Sequence, residues 1–143
     1  MDDIDILIDL IKKSEGYYLK AYKCPAGVWT CGYGITGPDI KESTRFTMAQ
    51  AESTLLQRAT EAMHEAVRLS PSLLFEKPER KTAIADFIFN IGAGAYRAST
   101  LKNMVDAKDW PRAQVEIMRW NHCNGKVLKG LTFRRQAEAD LLC

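Results

Sequence analysis

Residues 14 to 36 read SEGYYLKAYKCPAGVWTCGYGIT and open with a carboxylate, Glu15, set directly before Gly16. A carboxyl at the C-terminal end of a helix faces unpaired carbonyls, and Tyr17, Tyr18 and Tyr22 are placed to exclude water from it. Both effects oppose ionisation. A carboxylic acid that keeps its proton near neutral pH is a general acid, the group needed to protonate a departing glycosidic oxygen. Glycoside hydrolysis commonly adds a second carboxylate to activate water or attack the anomeric carbon. Between Glu15 and Asp39 there is no other acid. The segment offers instead Cys24, a polarisable thiol or thiolate just before a turn, and Thr30, a hydroxyl that can hold a water across it. The blander readings are a surface Glu ahead of a helix stop and a small buried Cys. Cys24, Cys31, His64 and His122 are also the raw materials of a thiolate and imidazole pair, but their spacing matches no cysteine-protease signature.

Glu15 and Cys24 can act together only if a helix stops at one and a hairpin presents the other. Ile4, Leu7, Ile8 and Ile11 follow a helical period, with Asp2 or Asp3 as cap and Gly16 as stop, so a helix over 3–14 ends near Glu15. From Tyr17 to Thr36 that period disappears, and Pro25-Ala26-Gly27 reads as a turn between two short strands. Thr47 to Gln50 forms a capping box, behind which Ala51, Leu55, Ala59, Ala62, Ala66 and Leu69 carry a helix of about twenty residues to Pro71. Pro78 opens the best candidate for a central helix, with Ala83, Ile84, Phe87, Ile88 and Ile91 on its apolar face and Gly92 closing it. Ser99 or Thr100 caps a helix through Val105, Asp109 and Pro111 start one through Trp120, and Gly130 precedes a last one from Leu131 to Leu142. The fold class is therefore α+β and mostly helical: a small N-terminal hairpin lobe (about 14–46), a linking helix (about 47–69) and a helical lobe (about 70–143). The cleft between such lobes is where ligands tend to bind.

The 143 residues suit one domain, and 46% hydrophobic with 27% charged residues is a globular composition. A net charge of +2 gives no argument for nucleic acid. Asp2, Asp3, Asp5 and Asp9 crowd one end, while Lys126, Lys129, Arg134 and Arg135 load the other; this polarity suits an anionic polymer or simply a solvated face. No stretch reaches the roughly 18 apolar residues of a membrane span, so no stable membrane insertion is expected. Four cysteines and two histidines make no zinc pattern, and no metal or cofactor is expected. Cys123 and Cys143 either pair or stay free thiols.

The segment SEGYYLKAYKCPAGVWTCGYGITG resembles the catalytic segment of phage-type lysozymes, the endolysin muramidases of glycoside hydrolase family 24. FNIGAGAYRASTL (89 to 101), the pair Arg119-Trp120 and GKVLKGLTFRRQAEADLLC (125 to 143) resemble the family in the same order. In that family a Glu before Gly, an Asp nine positions on and a Thr six further form the catalytic triad. Glu15, position 24 and Thr30 match this spacing, with Cys24 in place of the Asp, as in a subgroup with Glu, Cys and Thr. The resemblance implies a lysozyme-like fold and cleavage of the β-1,4 bond between N-acetylmuramic acid and N-acetylglucosamine in peptidoglycan. It implies Glu15, Cys24 and Thr30 as catalytic residues, and Thr36, Phe89, Asn90 and Thr100 as substrate contacts. Some relatives with this Glu, Cys, Thr pattern carry an N-terminal membrane anchor, whereas this sequence starts at its first helix. A monomer held in the host cytoplasm until a holin breaches the membrane, then acting on the wall from the periplasm, is therefore expected, or else a trimmed chain. Relatives with a catalytic Cys also make a Cys24 to Cys31 disulfide conceivable as an inactivating bridge, with free thiols expected, and give Cys123 and Cys143 counterparts for a structural pair. Two rivals use the same fold: a module that grips peptidoglycan through Arg134, Arg135 and the cleft without cutting it, and a lytic transglycosylase that leaves a 1,6-anhydro sugar.

Overall fold

The computed structural model describes residues 2–143. Helix α1 (Asp3–Glu15) buries Leu7 and Ile11 and stops where Gly16 turns the chain at a φ of 64°. Each of those two burials stabilises the fold by about 1.5–3 kcal/mol. Asp2 is the N-cap, without a side-chain capping bond. Strands β1 (Tyr18–Lys23) and β2 (Trp29–Gly32) form an antiparallel hairpin in which Tyr22 faces Thr30 and Lys23 faces Trp29. The register slips between Tyr18 and Tyr22, bending the strand that leads from Glu15 to Cys24.

Helix α2 (Met48–Leu69) begins at the expected capping box, with Thr47 and Gln50 bonded reciprocally. Ala51, Leu55, Ala59, Ala62 and Ala66 form its buried stripe. A 3₁₀ turn at Pro71–Phe75 leads to α3 (Pro78–Ile91). Every residue of α3 from Thr82 to Ile88 is buried, because α1, α2 and α7 (Lys129–Leu142) all pack on it. This helix is the axis of the core, and it carries one acid, Asp86, at its centre.

The remaining elements are α4 (Ala93–Arg97), α5 (Thr100–Asp106, capped by Ser99), α6 (Trp110–Ile117, capped by Asp109), and a two-residue hairpin of β3 (His122–Cys123) and β4 (Lys126–Val127). Two readings of the sequence need correction, and one element was missed. Helix α6 ends at Ile117 rather than Trp120, because the chain must turn into the β3–β4 hairpin. Gly130 lies inside α7 rather than ahead of it, since Leu128 is the N-cap. The β3–β4 hairpin itself was signalled by Asn124-Gly125, both at positive φ, the pair that a tight hairpin turn favours.

Candidate active site

The end of α1 brings Glu15 to the wall of a cleft of about 270 Å³, which is also lined by Tyr22, Cys24, Thr30, Thr36, Phe89 and Asn90. Strand geometry explains the hairpin's contribution. Tyr22 and Cys24 are two apart and so share a face, and Thr30 lies directly opposite Tyr22. Cys31, next to Thr30, points the other way: it is buried, and its thiol donates to the carbonyls of Tyr18 and Leu19 at 3.4 and 3.6 Å.

One carbonyl couples Cys24 to Thr30. The oxygen of Val28 accepts from the Cys24 amide at 3.0 Å and from Thr30 Oγ1 at 3.0 Å. The turn between them is closed by the Gly27 amide, which donates to the Cys24 carbonyl at 2.8 Å. Thr30 is buried and its hydroxyl proton is committed to Val28, so its lone pairs are what remain for a water.

Glu15 is held from behind. Its Oε1 accepts from Nη1 of Arg134 on α7, and the same guanidinium grips Asp86 with Nε and Nη2 at 2.9 and 2.8 Å. Burial alone would push Arg134 down, but Asp86 and Glu15 outweigh it and hold the guanidinium firmly charged. Asp86 is fully buried; desolvation would raise it, yet the Arg134 charge and its hydrogen bonds keep it below the ordinary carboxylate value. Next to this trio, Arg135 pairs with Glu138 through two bonds of 2.6 and 2.8 Å and donates to Asn90 Oδ1 at 2.9 Å. Asn90 is thus fixed by its oxygen while it lines the cleft. Phe89 lies under the Arg134 guanidinium, 6.0 Å from ring to cation. Desolvation raises the Tyr22 hydroxyl, and the Glu15 charge adds to the effect.

Gly34 closes the front of the site. Its φ is 72°, and a Cβ there would overlap the Glu15 carboxylate. Gly34, Thr36 and Phe89 also border a second depression of about 200 Å³ along α2, lined by Arg58, Glu61 and Glu65, so the cleft continues as a groove. Arg58 ties the loop to α2 by donating to the Thr36 carbonyl at 3.1 Å.

Of the residues expected here, Glu15, Cys24, Thr30, Thr36, Phe89 and Asn90 share one cleft. Thr100 does not: it is exposed at the start of α5, and Ser99 rather than Thr100 caps that helix. Two of the three tyrosines expected to shield Glu15 are half exposed, Tyr17 and Tyr18, and only Tyr22 lines the cleft. Arg134 and Arg135 are not surface cations, being 6% and 0% exposed, so neither grips a polymer. All four cysteines are free thiols, Cys123 half-buried and Cys143 exposed. The sequence reading missed Asp86 and Glu138. For Asp86 the signal was present, since an acid inside AIADFIF must find a buried partner.

The family model described as phage lysozyme matches residues 12–138. A SAR-endolysin of Bacteriophage PS119 is 34% identical over 89% of this chain and 75% of its own length. An endolysin of Acyrthosiphon pisum secondary endosymbiont phage 1 is 37% identical over 92% of this chain and 91% of its own. Among solved structures, an endolysin from Escherichia coli O157:H7 phage FAHEc1 superposes with a TM-score of 0.81, at 28% identity, over 99% of this chain and 93% of that one.

Proposed function

The chain belongs to the phage lysozyme family and is a lysozyme-type glycoside hydrolase acting on peptidoglycan; on that premise we propose that it cuts the β-1,4 bond between N-acetylmuramic acid and N-acetylglucosamine, with Glu15, Cys24 and Thr30 as its catalytic residues. The observation that carries the proposal is the single cleft that Glu15, Cys24 and Thr30 line together, with Val28 joining the last two.

Glu15 gives its proton to the leaving oxygen as the glycosidic bond breaks. A water attacks the anomeric carbon from the hairpin side, donating one hydrogen to the lone pairs of Thr30 Oγ1 and losing the other proton to the Cys24 sulfur in its thiolate form. The bond to water forms opposite the one that breaks, so the product is inverted. Direct attack by the Cys24 thiolate would instead give a covalent intermediate and retention. Thr36, Phe89 and Asn90 line the sugar's path in this reading.

Product analysis tests the proposal. Digested glycan strands should carry new reducing N-acetylmuramic acid ends, and the first-formed anomer by NMR should be inverted. Reducing N-acetylglucosamine ends would overturn the bond assignment, a retained anomer the water mechanism, and 1,6-anhydro ends hydrolysis itself. Lysis of the host from within completes the proposal and is supported by the endolysin that this chain matches along 91% of that protein's length; storage in the cytoplasm as a monomer and passage through a holin are the route proposed for it. Expression in cells with and without a holin tests it, since lysis at the same time in both would contradict this route.

A further inference from the structure

We propose that Asp86 is a positioning residue for the reaction, acting on Glu15 through Arg134, and that it sets the pH range of activity by compensating the Arg134 charge. The inference rests on the reading of Glu15 as the acid.

The geometry is a chain of contacts that runs from the core to the cleft. Asp86 is 0% exposed on α3 and takes both Nε and Nη2 of Arg134. A guanidinium held bidentate has its plane fixed, so its remaining arm, Nη1, has one direction in which to point. That arm meets Glu15, a carboxylate on a different helix with 17% of its side chain exposed to the cleft. Phe89 lies beside the same guanidinium. Asp86 therefore fixes where the Glu15 carboxylate sits without touching substrate.

The charges decide the second half. The groups facing this cluster are Glu15 from α1, Tyr22 from β1 and Cys24 just after it, Asp86 from α3, and Arg134, Arg135 and Glu138 from α7. Two guanidiniums face three carboxyls. Burial, then hydrogen bonding to Asp86, pushes Glu138 up. Asp86, which takes Nε and Nη2 of Arg134, compensates that charge from inside the core. With Asp86 neutralised, Arg134 would act on Glu15 as an uncompensated cation, and a cation favours the carboxylate over the acid.

The test compares wild type, Asp86→Asn and Asp86→Glu on purified peptidoglycan, measuring kcat and KM from pH 4 to 9. For Asp86→Asn the alkaline limb of kcat should move down by about half a unit, less than the roughly one to three units that a charge in direct contact brings. KM should stay within about twofold. Asp86→Glu keeps the charge but displaces the carboxylate, so the limb should stay in place while kcat falls about tenfold. If Asp86→Asn does not fold, the Asp86→Glu result decides alone. An unmoved limb in Asp86→Asn, or wild-type kcat in Asp86→Glu, would overturn the proposal. Glu15→Gln run alongside separates the two levels: if it stays active, the assignment of the acid fails, and if it is dead while the Asp86 variants behave as wild type, only the present inference fails.

Discussion

Glu15 and Arg134 stand 119 residues apart in the chain and form an ion pair at the back of the cleft. The pair joins the end of the first helix to the middle of the last, so the acid's position depends on the helical core as well as on the local hairpin. Several consequences of this arrangement can be measured.

Gly34 is the first. It lies directly against the Glu15 carboxylate and holds a left-handed backbone. Gly34→Ala should cost about 1–2 kcal/mol for the conformation alone. It should also displace Glu15 and lower kcat by more than the stability loss explains. Thermal unfolding and steady-state rates on the same preparation check this; a variant with wild-type kcat would show that Gly34 leaves the acid undisturbed.

Arg135 is buried with Glu138 and Asn90, and removing one member of a buried pair strands the other. Arg135→Met should destabilise the fold by roughly 3 kcal/mol in urea titrations. A loss under about 1 kcal/mol, the range of exposed pairs, would contradict the buried role.

Glu138 makes stability depend on pH. Desolvation and the Asp86 carboxylate raise it well above its ordinary 4.5, so the folded state binds this proton more tightly than the unfolded one. Its contribution is full below pH 4.5 and declines as pH rises through the folded value. Glu138→Gln should flatten that part of the melting-temperature profile above pH 4.5. Parallel profiles for wild type and variant would refute the assignment.

Much of this was legible in the sequence because it is local. The capping box at Thr47, the stop at Gly16 and the turn at Pro25 each follow from residues within a few positions of one another. The resemblance to the phage lysozyme pattern pointed to Glu15, Cys24 and Thr30, which the end of α1 and the hairpin do bring to one cleft. What could not be read were relationships across the chain. Arg134 and Arg135 look like surface cations in LTFRRQAEAD until Asp86 and Glu138, one of them 48 residues from Arg134, are known to meet them in the core. Thr100 is a related case: the resemblance made it a sugar contact and its place near a helix start made it a possible cap, and only the packed fold shows Ser99 in the capping role and Thr100 in solvent, outside the cleft.

Cys24 distinguishes chemistry from packing. With its amide and the Thr30 hydroxyl sharing the Val28 carbonyl, a carboxylate at position 24 would occupy the same face of the hairpin. Cys24→Asp should keep activity, whereas Cys24→Ala should lose about 100-fold, the lower range for a positioned acid–base group. A fully active Cys24→Ala would reduce the thiol to packing.

The most direct measurement is the loss of turbidity of outer-membrane-stripped Gram-negative cells with Glu15→Gln, alongside its thermal unfolding. The substitution removes the transferable proton and keeps the shape of the side chain. The account predicts a folded protein whose lysis rate falls by roughly 10²–10⁴. Clearing of the cells at the wild-type rate would contradict it and leave a module that binds the wall in some other way.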